Sequence, residues 1–201
     1  MIVPGLCKIE GFVRIHDPVS GEVLVDKKNA IHYENISIAM AQTLSDRNLG
    51  YIYEMAFGNG GSSVDPTGVI TYLPPNVTGQ NADLYNETYA KVVNDNSAAD
   101  TDPINNKMTV LHTSGTVYTD ILVTCLLDYG EPPTQQAFDN STNFNGEYVF
   151  DELGLKAWNG SVENLRLITH VIFHPVQKSL NRQIQIDYTL RIQTLSNINA
   201  V

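Results

Sequence analysis

Alternation of apolar and polar residues along most of the chain predicts β-strands. In residues 183–193, five apolar side chains alternate with polar ones: Ile184, Ile186, Tyr188, Leu190 and Ile192. A two-residue period is typical of a strand with one buried face in an antiparallel sheet. Similar patterns predict strands at 8–17, 22–26, 51–57, 69–73, 84–93, 107–113, 117–128, 147–155 and 165–173. We expect the last of these to end at His174-Pro175, because proline cannot donate to a ladder.

One segment follows a different period and predicts a short amphipathic helix over residues 33–46. Its apolar stripe recurs at three- and four-residue steps and consists of Ile36, Ala39, Met40, Thr43 and Leu44. Asn48 and Gly50 follow as stop signals. Between the first two strands, Asp17-Pro18-Val19-Ser20-Gly21 has the composition of a turn, which predicts a β-hairpin.

About ten strands, one helix and long polar loops predict a mainly β fold. We expect a single antiparallel β-sandwich-like domain spanning residues 1–201, with long loops at 94–106 and 129–146. The expected core includes Ile15, Val23, Phe57, Val171, Phe173, Ile186, Tyr188 and Leu190.

The charge balance limits the possible partners. The chain has 12 Lys+Arg and 22 Asp+Glu, which gives a formal net charge of −10. Binding to nucleic acid or to anionic lipid needs clustered cations, so we expect neither nucleic acid nor a membrane as partner. The longest apolar run, 121–127, is too short to span a bilayer, and the N-terminal residues do not have a signal-peptide pattern.

The candidate metal ligands are better explained in other ways: the two histidines as structural or interface residues, and the aspartates as part of a loop. His170 and His174 would lie on one face of a strand about 13 Å apart, which is too far for one ion. Asp95, Asp100 and Asp102 lack the spacing of a calcium loop and predict a solvated acidic loop. We therefore expect no metal and no cofactor.

Cys7 and Cys125 are not in a metal-binding or redox spacing. We expect two buried thiols, with a long-range disulfide as the alternative.

The candidate catalytic motifs are also incomplete. Gly58-Asn59-Gly60-Gly61 lacks the lysine and hydroxyl of a phosphate-binding loop and predicts a glycine corner where a strand leaves the core. Asp151 and Glu152 are adjacent in a predicted strand, so they should point to opposite faces and not act as an acid–base pair. If one is buried it needs a partner, such as Arg166 or Lys178. With no nucleophile-elbow motif either, we expect no catalytic residues and no enzyme.

Three stretches in order resemble structural proteins of contractile-tailed bacteriophages. They contain Gly11-Phe12-Val13-Arg14-Ile15 with Gly21-Glu22-Val23-Leu24; Tyr53-Glu54-Met55-Ala56-Phe57-Gly58-Asn59-Gly60-Gly61; and Phe150-Asp151-Glu152-Leu153-Gly154-Leu155 with Thr169-His170-Val171-Ile172-Phe173. The similarity covers roughly residues 8–93 and 147–193. Such proteins carry a large insertion between the Phe150–Leu155 motif and the strand that contains Thr169-His170-Val171, where this chain has about ten residues (156–165). Any function housed in that insertion is therefore absent or minimal here.

The resemblance implies a non-enzymatic virion protein, assembled in the host cytoplasm, that oligomerises at the head-to-tail region as a neck, collar or connector component. The implied partners are copies of itself and other virion proteins, from the portal, adaptor and tail or from the capsid. The alternatives are a capsid-decoration or baseplate protein, a carbohydrate- or receptor-binding module that uses Trp158, and an envelope hydrolase. The expected contact residues are Ile36, Met40, Leu44, Asn59 and Trp158, together with loops 59–66 and 132–145.

Overall fold

The chain folds into antiparallel β-sheets in a computed structural model that describes residues 6–132 and 147–195. The strands of these residues are β1 (Leu6–His16), β2 (Val23–Lys28), β3 (Ala30–Ile31), β4 (Ile52–Gly58), β5 (Ser62–Val64), β6 (Ile70–Tyr72), β7 (Glu87–Val92), β8 (Lys107–Leu111), β9 (Tyr118–Leu127), β10 (Glu147–Ala157), β11 (Arg166–Leu167), β12 (Thr169–Ser179) and β13 (Ile184–Leu195). One α-helix, α1 (Tyr33–Leu44), lies within the described parts of the chain, and a short 3-10 turn spans Val162–Asn164.

Two large sheets face each other. Sheet I has the strand order β2-β1-β13-β9-β8, and sheet II has the order β3-β12-β10-β4-β7, with β11 paired to β10. Strands β5 and β6 form a separate two-stranded ribbon. The chain leaves sheet I after β2, enters sheet II at β3, runs through α1 to β4, and returns to sheet I through residues 93–106 and β8. The predicted mainly β, antiparallel sandwich-like fold with one helix is confirmed.

The core lies between the two sheets. Tyr188 and Ile186 of sheet I pack in one cluster with Phe57 and Phe150 of sheet II. The aromatic rings of Phe57, Phe150 and Phe173 meet edge to face, with centroids 5.5 and 5.7 Å apart. The alternation predicted for 183–193 is confirmed, because each apolar residue from Ile184 to Leu190 is buried.

Val23 is the predicted core residue that the structure places elsewhere, with 43% of its surface exposed. The β1–β2 register shifts at the end of β1, so that Ile15 pairs with Val25 whereas His16 pairs with Val23. Paired residues in a sheet share a face. Val25 therefore follows Ile15 into the core, and Val23 points outward with His16.

The predicted end of a strand at His174-Pro175 is wrong, because β12 continues to Ser179. Phe150 of β10 pairs with Val176, and Glu152 pairs with Ile172. Asp151 alone therefore lies opposite residues 173–175. Pro175 falls in this irregular part of the ladder. Regular ladder hydrogen bonds are interrupted there, so proline, which has no N–H, is tolerated.

The outer face of sheet II is also covered, which the sequence did not predict. Ala56 of β4 packs with Leu84 and Leu167 in a second apolar cluster. Met55, Ala56 and Phe57 are all fully buried. The alternation expected over 51–57 therefore does not separate a buried face from a solvated one.

Helix α1 closes one end of the sandwich. It begins after His32, whose Nδ1 accepts a hydrogen bond from the Asn35 N–H. The buried Asn35 side chain donates to the Leu167 carbonyl at 2.9 Å and fixes the helix on sheet II. Gly50 returns the chain beneath the helix at φ +85°, and a Cβ there would lie 2.1 Å from the Ala39 carbonyl oxygen. Glycine is required at this position by both its conformation and the close approach.

Candidate functional site

A groove of about 490 Å³ runs between α1 and the inner face of sheet I. Its floor belongs to the core, since Ile36 is 4% exposed and Leu190 is 1% exposed. Met40 on one wall and Ile121 on the other are partly buried against that core. The groove is therefore an open extension of the hydrophobic core.

The rim of the groove carries large apolar side chains in water. Leu44, in the last turn of α1, is 83% exposed, and Val110 of β8 is 69% exposed. Burying such a side chain contributes roughly 1.5–3 kcal/mol. Contiguous exposed apolar surface of this kind is typical of an interaction site.

The groove has little capacity for chemistry. Among the described residues that line it, Asp95 is the one with a charged side chain. Tyr51 is the other titratable residue of the lining, and burial raises its pKa above the ordinary value. An acid–base pair would need two such groups with separated pKa values aimed at one substrate. The lining is therefore mainly apolar.

Trp158 lies beside the groove, at the end of β10. Its ring stacks on Tyr51 with centroids 6.3 Å apart and an interplanar angle of 11°, and it packs at 4.7 Å on Tyr53. The backbone of Trp158 is also fixed, since its N–H donates to the Tyr51 carbonyl and its carbonyl accepts from the Gly50 N–H. Trp158 is half-buried and covers the edge of the core.

The expected contact residues are thus only partly brought together. Ile36, Met40 and Leu44 all line the groove. Tyr51 also lines the groove, and the Trp158 ring stacks on Tyr51. Asn59 belongs to the glycine corner, where its Oδ1 accepts a hydrogen bond from the Asn86 side chain. Loop 59–66 includes strand β5, and residues 133–145 of the other loop lie outside the described residues.

The sequence did not reveal the second wall of the groove. Met108, Val110 and Ile121 come from β8 and β9, far from α1 along the chain. The sequence carries one signal for this wall. Strand β8 has apolar side chains on both faces, from Met108, Val110 and Leu111, and a single charge, from Lys107. That pattern indicates surface available for contact.

A second cluster contains the carboxylates that were expected to point apart. Asp151 and Glu152 are both buried, at 3% and 0% exposure, and both reach the glycine corner. Asp151 accepts hydrogen bonds from the Gly61 N–H at 2.9 Å and from the Ser62 hydroxyl. Glu152 accepts from the Gly60 N–H at 3.0 Å. The prediction of opposite faces is wrong because Asp151 sits in the irregular part of the β10–β12 ladder.

Glu152 has further partners that differ from the expected cations. The N–H groups of Tyr85 and Asn86 donate to it at 3.0 and 2.8 Å. His170 Nε2 lies 3.0 Å from its Oε2, and both side chains are fully buried. Arg166 and Lys178 are therefore not its partners. Lys178 instead donates to the carbonyl oxygens of Asp128 and Ser179.

The two carboxyl groups differ in electrostatics. Burial raises the pKa of Glu152, but hydrogen bonds from His170 and three backbone N–H groups outweigh it, so the pKa lies below its ordinary value. Burial also raises the pKa of Asp151, and its bonds from Ser62 and Gly61 do not compensate. We call Asp151, Glu152 and His170 the carboxylate clamp, because they tie the glycine corner and the 85–86 loop to sheet II.

The two histidines have separate environments. His170 is buried, and its Nδ1 accepts the Asn76 N–H at 2.8 Å, which confirms the structural interpretation. His174 is exposed, and its Nδ1 lies 3.1 Å from the Tyr72 hydroxyl. No group of three His, Cys, Asp or Glu residues in the described chain could hold a metal ion.

Both cysteines are free thiols. Cys125 is buried, as expected, and burial raises its pKa to about 12. Cys7 is exposed, so the expectation of two buried thiols is wrong for this residue. It lies at the end of β1, paired with Thr194, beyond the part of the sheet that the core covers.

Comparisons with family models, with curated proteins and with solved structures found no match to this chain. Within the described residues, the single helix is too short to cross a membrane.

Proposed function

We propose that this chain is a non-enzymatic structural protein of a tailed bacteriophage, which assembles at the head-to-tail region as a neck, collar or connector component. The resemblance of three ordered stretches to virion proteins supports this proposal. The observation that carries it is the apolar groove with exposed rim residues Leu44 and Val110. A protein that works by assembly needs such a surface, whereas an enzyme needs converging titratable groups.

The carboxylate clamp supports a structural role more than a catalytic one. Glu152 and His170 have no solvent-exposed surface, and backbone N–H groups occupy the carboxylate oxygens. A general base must reach its substrate within hydrogen-bond distance. The clamp fixes loops on the outer face of sheet II.

Carbohydrate binding through Trp158 is the alternative with less support. Sugar-binding sites present an open aromatic face, and the Trp158 ring is already stacked on Tyr51 and packed on Tyr53. A glycan array that is positive for the wild-type chain and negative for Trp158→Ala would favour this alternative.

The test is to locate the chain in a reconstruction of the intact particle. We expect its density at the neck, in several symmetry-related copies. Density on the shell or the baseplate would support the alternative positions within the particle. Absence of the chain from purified particles would overturn the proposal.

A further inference from the structure

We propose that two copies of this chain pair antiparallel through strand β8, so that sheet I continues from one copy into the other. This inference rests on the proposed assembly role and deepens it, because it names the partner and the contact. The pairing also extends the groove, since β8 forms its outer wall.

Among the described strands, β8 is an edge of sheet I. It pairs with β9 from Lys107 opposite Thr124 to Leu111 opposite Asp120. In the part of the chain that the structure describes, the backbone of 107–111 has no hydrogen bonds beyond this pairing. An edge strand presents alternate N–H and C=O groups that can pair with another strand.

The other edges of the two large sheets are protected, at least among the described residues. Strand β2 carries Asp26, Lys27 and Lys28 in sequence, and β3 is two residues long. Strand β7 carries Glu87 and Lys91, both in ion pairs. Charges and short length are the usual means of blocking edge-to-edge pairing.

Strand β8 lacks these protections. Lys107 is its single charged residue, and the four residues that follow, Met108 to Leu111, are uncharged. Val110 is 69% exposed and Leu111 is 48% exposed. An uncharged, apolar edge of this kind favours strand addition.

A twofold axis through Thr109 makes the strand complementary to itself. Antiparallel pairing about this axis sets Thr109 opposite Thr109 of the second copy, and Met108 opposite Val110 of the second copy. Met108 and Val110 point into the groove, so their apolar surfaces join across the axis. A contact that is the same on both subunits closes into a dimer.

The charges on the outer face also agree with this register. Leu111 lies opposite Asp120 in β9, so both side chains point outward. The register sets Lys107 of the second copy opposite Leu111, in the same row as Asp120. Arg191 already binds both oxygens of Asp120 at 2.8 Å, so this row ends in a neutral ion pair. The register therefore places each Lys107 beside an apolar side chain and away from the other Lys107, and no like charges face each other, which favours a second copy over a chain of unrelated sequence.

The experiment measures the mass of the full chain by sedimentation over low to high micromolar concentrations. We expect the wild-type chain to reach twice 22.2 kDa. Val110→Lys, which adds a charge at the edge, should weaken dimerisation at least tenfold. Val64→Lys is the matched control, because Val64 lies on β5 and is 62% exposed. It should leave the dimer unchanged, and circular dichroism checks the fold of both variants.

A crosslink tests the register independently. In a Cys7→Ser background, Thr109→Cys should form a covalent dimer on oxidation, because the axis places the two residues 109 opposite each other. Thr71→Cys, at an exposed position in β6, is the control and should stay monomeric on denaturing gels.

The outcomes separate this inference from the proposed function. A wild-type chain that stays monomeric, or a dimer that Val110→Lys leaves intact, overturns pairing through β8. If the same chain is still found at the neck of the particle, the assembly role stands with another contact. Absence from the particle removes the proposed function, whereas a β8 dimer in solution would remain as a measured fact.

Discussion

At the scale of single residues, Glu54 has the most unusual environment among the described side chains. It lies opposite Lys156 on the outer face of sheet II. Lys156 is already in ion pairs with Asp83 and Glu87. Burial raises the pKa of Glu54 to about 7; Lys156 lowers it, and the two other carboxylates raise it. Three carboxylates therefore share one ammonium group.

Glu54→Gln should stabilise the protein at pH 8 and have little effect at pH 4. The folded pKa of about 7 lies above the ordinary glutamate value of 4.5, so the folded state binds the proton more tightly and stability falls as pH rises through this window. The glutamine side chain does not titrate, so the variant does not lose stability as the pH rises. We expect a gain of about 1–3 kcal/mol at pH 8, below the full linkage value because the side chain is partly hydrated.

Urea unfolding of both proteins at the two pH values measures this difference. Glu163→Gln, in the exposed 3-10 turn, is the control and should show no pH-dependent gain. An equal effect of Glu54→Gln at pH 4 and pH 8 would contradict the assignment.

At the scale of the elements, the irregular ladder between β10 and β12 determines how the outer face of sheet II is built. The irregularity brings the Asp151 side chain to the same side of sheet II as Glu152, and the two carboxylates hold Gly60, Gly61 and the 85–86 loop. The apolar cluster of Ala56, Leu84 and Leu167 lies beneath the same loop region. One local departure from regular pairing therefore supports a second buried layer.

Glu152→Gln should destabilise the protein by about 2–4 kcal/mol, because an amide NH₂ would face N–H donors in a buried site. The pKa of Glu152 is lowered in the folded state, so its contribution to stability is fully present above the ordinary value of 4.5 and is lost as pH falls from there through the lowered folded pKa. The variant should thus differ most from the wild type near neutral pH.

Denaturant unfolding at pH 7 measures the loss. Glu163→Gln makes the same chemical change on the surface and should stay within about 0.5 kcal/mol of the wild type. A Glu152→Gln protein as stable as this control would show that the clamp does not hold the loops.

Helix α1 shows which parts of an element are predictable from local pattern. Its start at Tyr33 and its stripe were expected, and the observed end at Leu44 is two residues earlier than predicted. The residues of the stripe differ in solvent exposure: Ile36 is buried, Met40 is half-buried and Leu44 is exposed. Periodicity identifies a face of a helix, but the length of that face that is covered depends on the sheet beneath it.

At the scale of the whole molecule, the net charge of −10 opposes the proposed dimer. Two copies repel each other over about 30 Å at 10 mM ionic strength and about 8 Å at 150 mM. Dimerisation should therefore strengthen several-fold between these conditions, as measured by sedimentation. Weaker dimerisation at the higher ionic strength would mean that attraction between opposite charges outweighs the repulsion between the two acidic chains.

The sequence by itself determined the fold class, the antiparallel strands and the helix, because these depend on the two- and 3.6-residue periods within one segment. The acidic charge and the incomplete catalytic motifs were also readable from the chain. Seven of the eight expected core residues are buried, since alternation on a half-buried strand is a local property.

Only the tertiary structure decided where these segments meet. The pairing of Phe150 with Val176 and of Glu152 with Ile172 depends on two separate strands, so no local signal shows that Asp151 lies on the same side as Glu152. The groove joins α1 to β8 and β9, from which strands β4 to β7 separate it along the chain. Within the described residues, β8 is an edge because β9 pairs with β13 on its other side. The register of a strand and the identity of the strand beside it depend on contacts between residues far apart in sequence, and the packing of the whole core determines both.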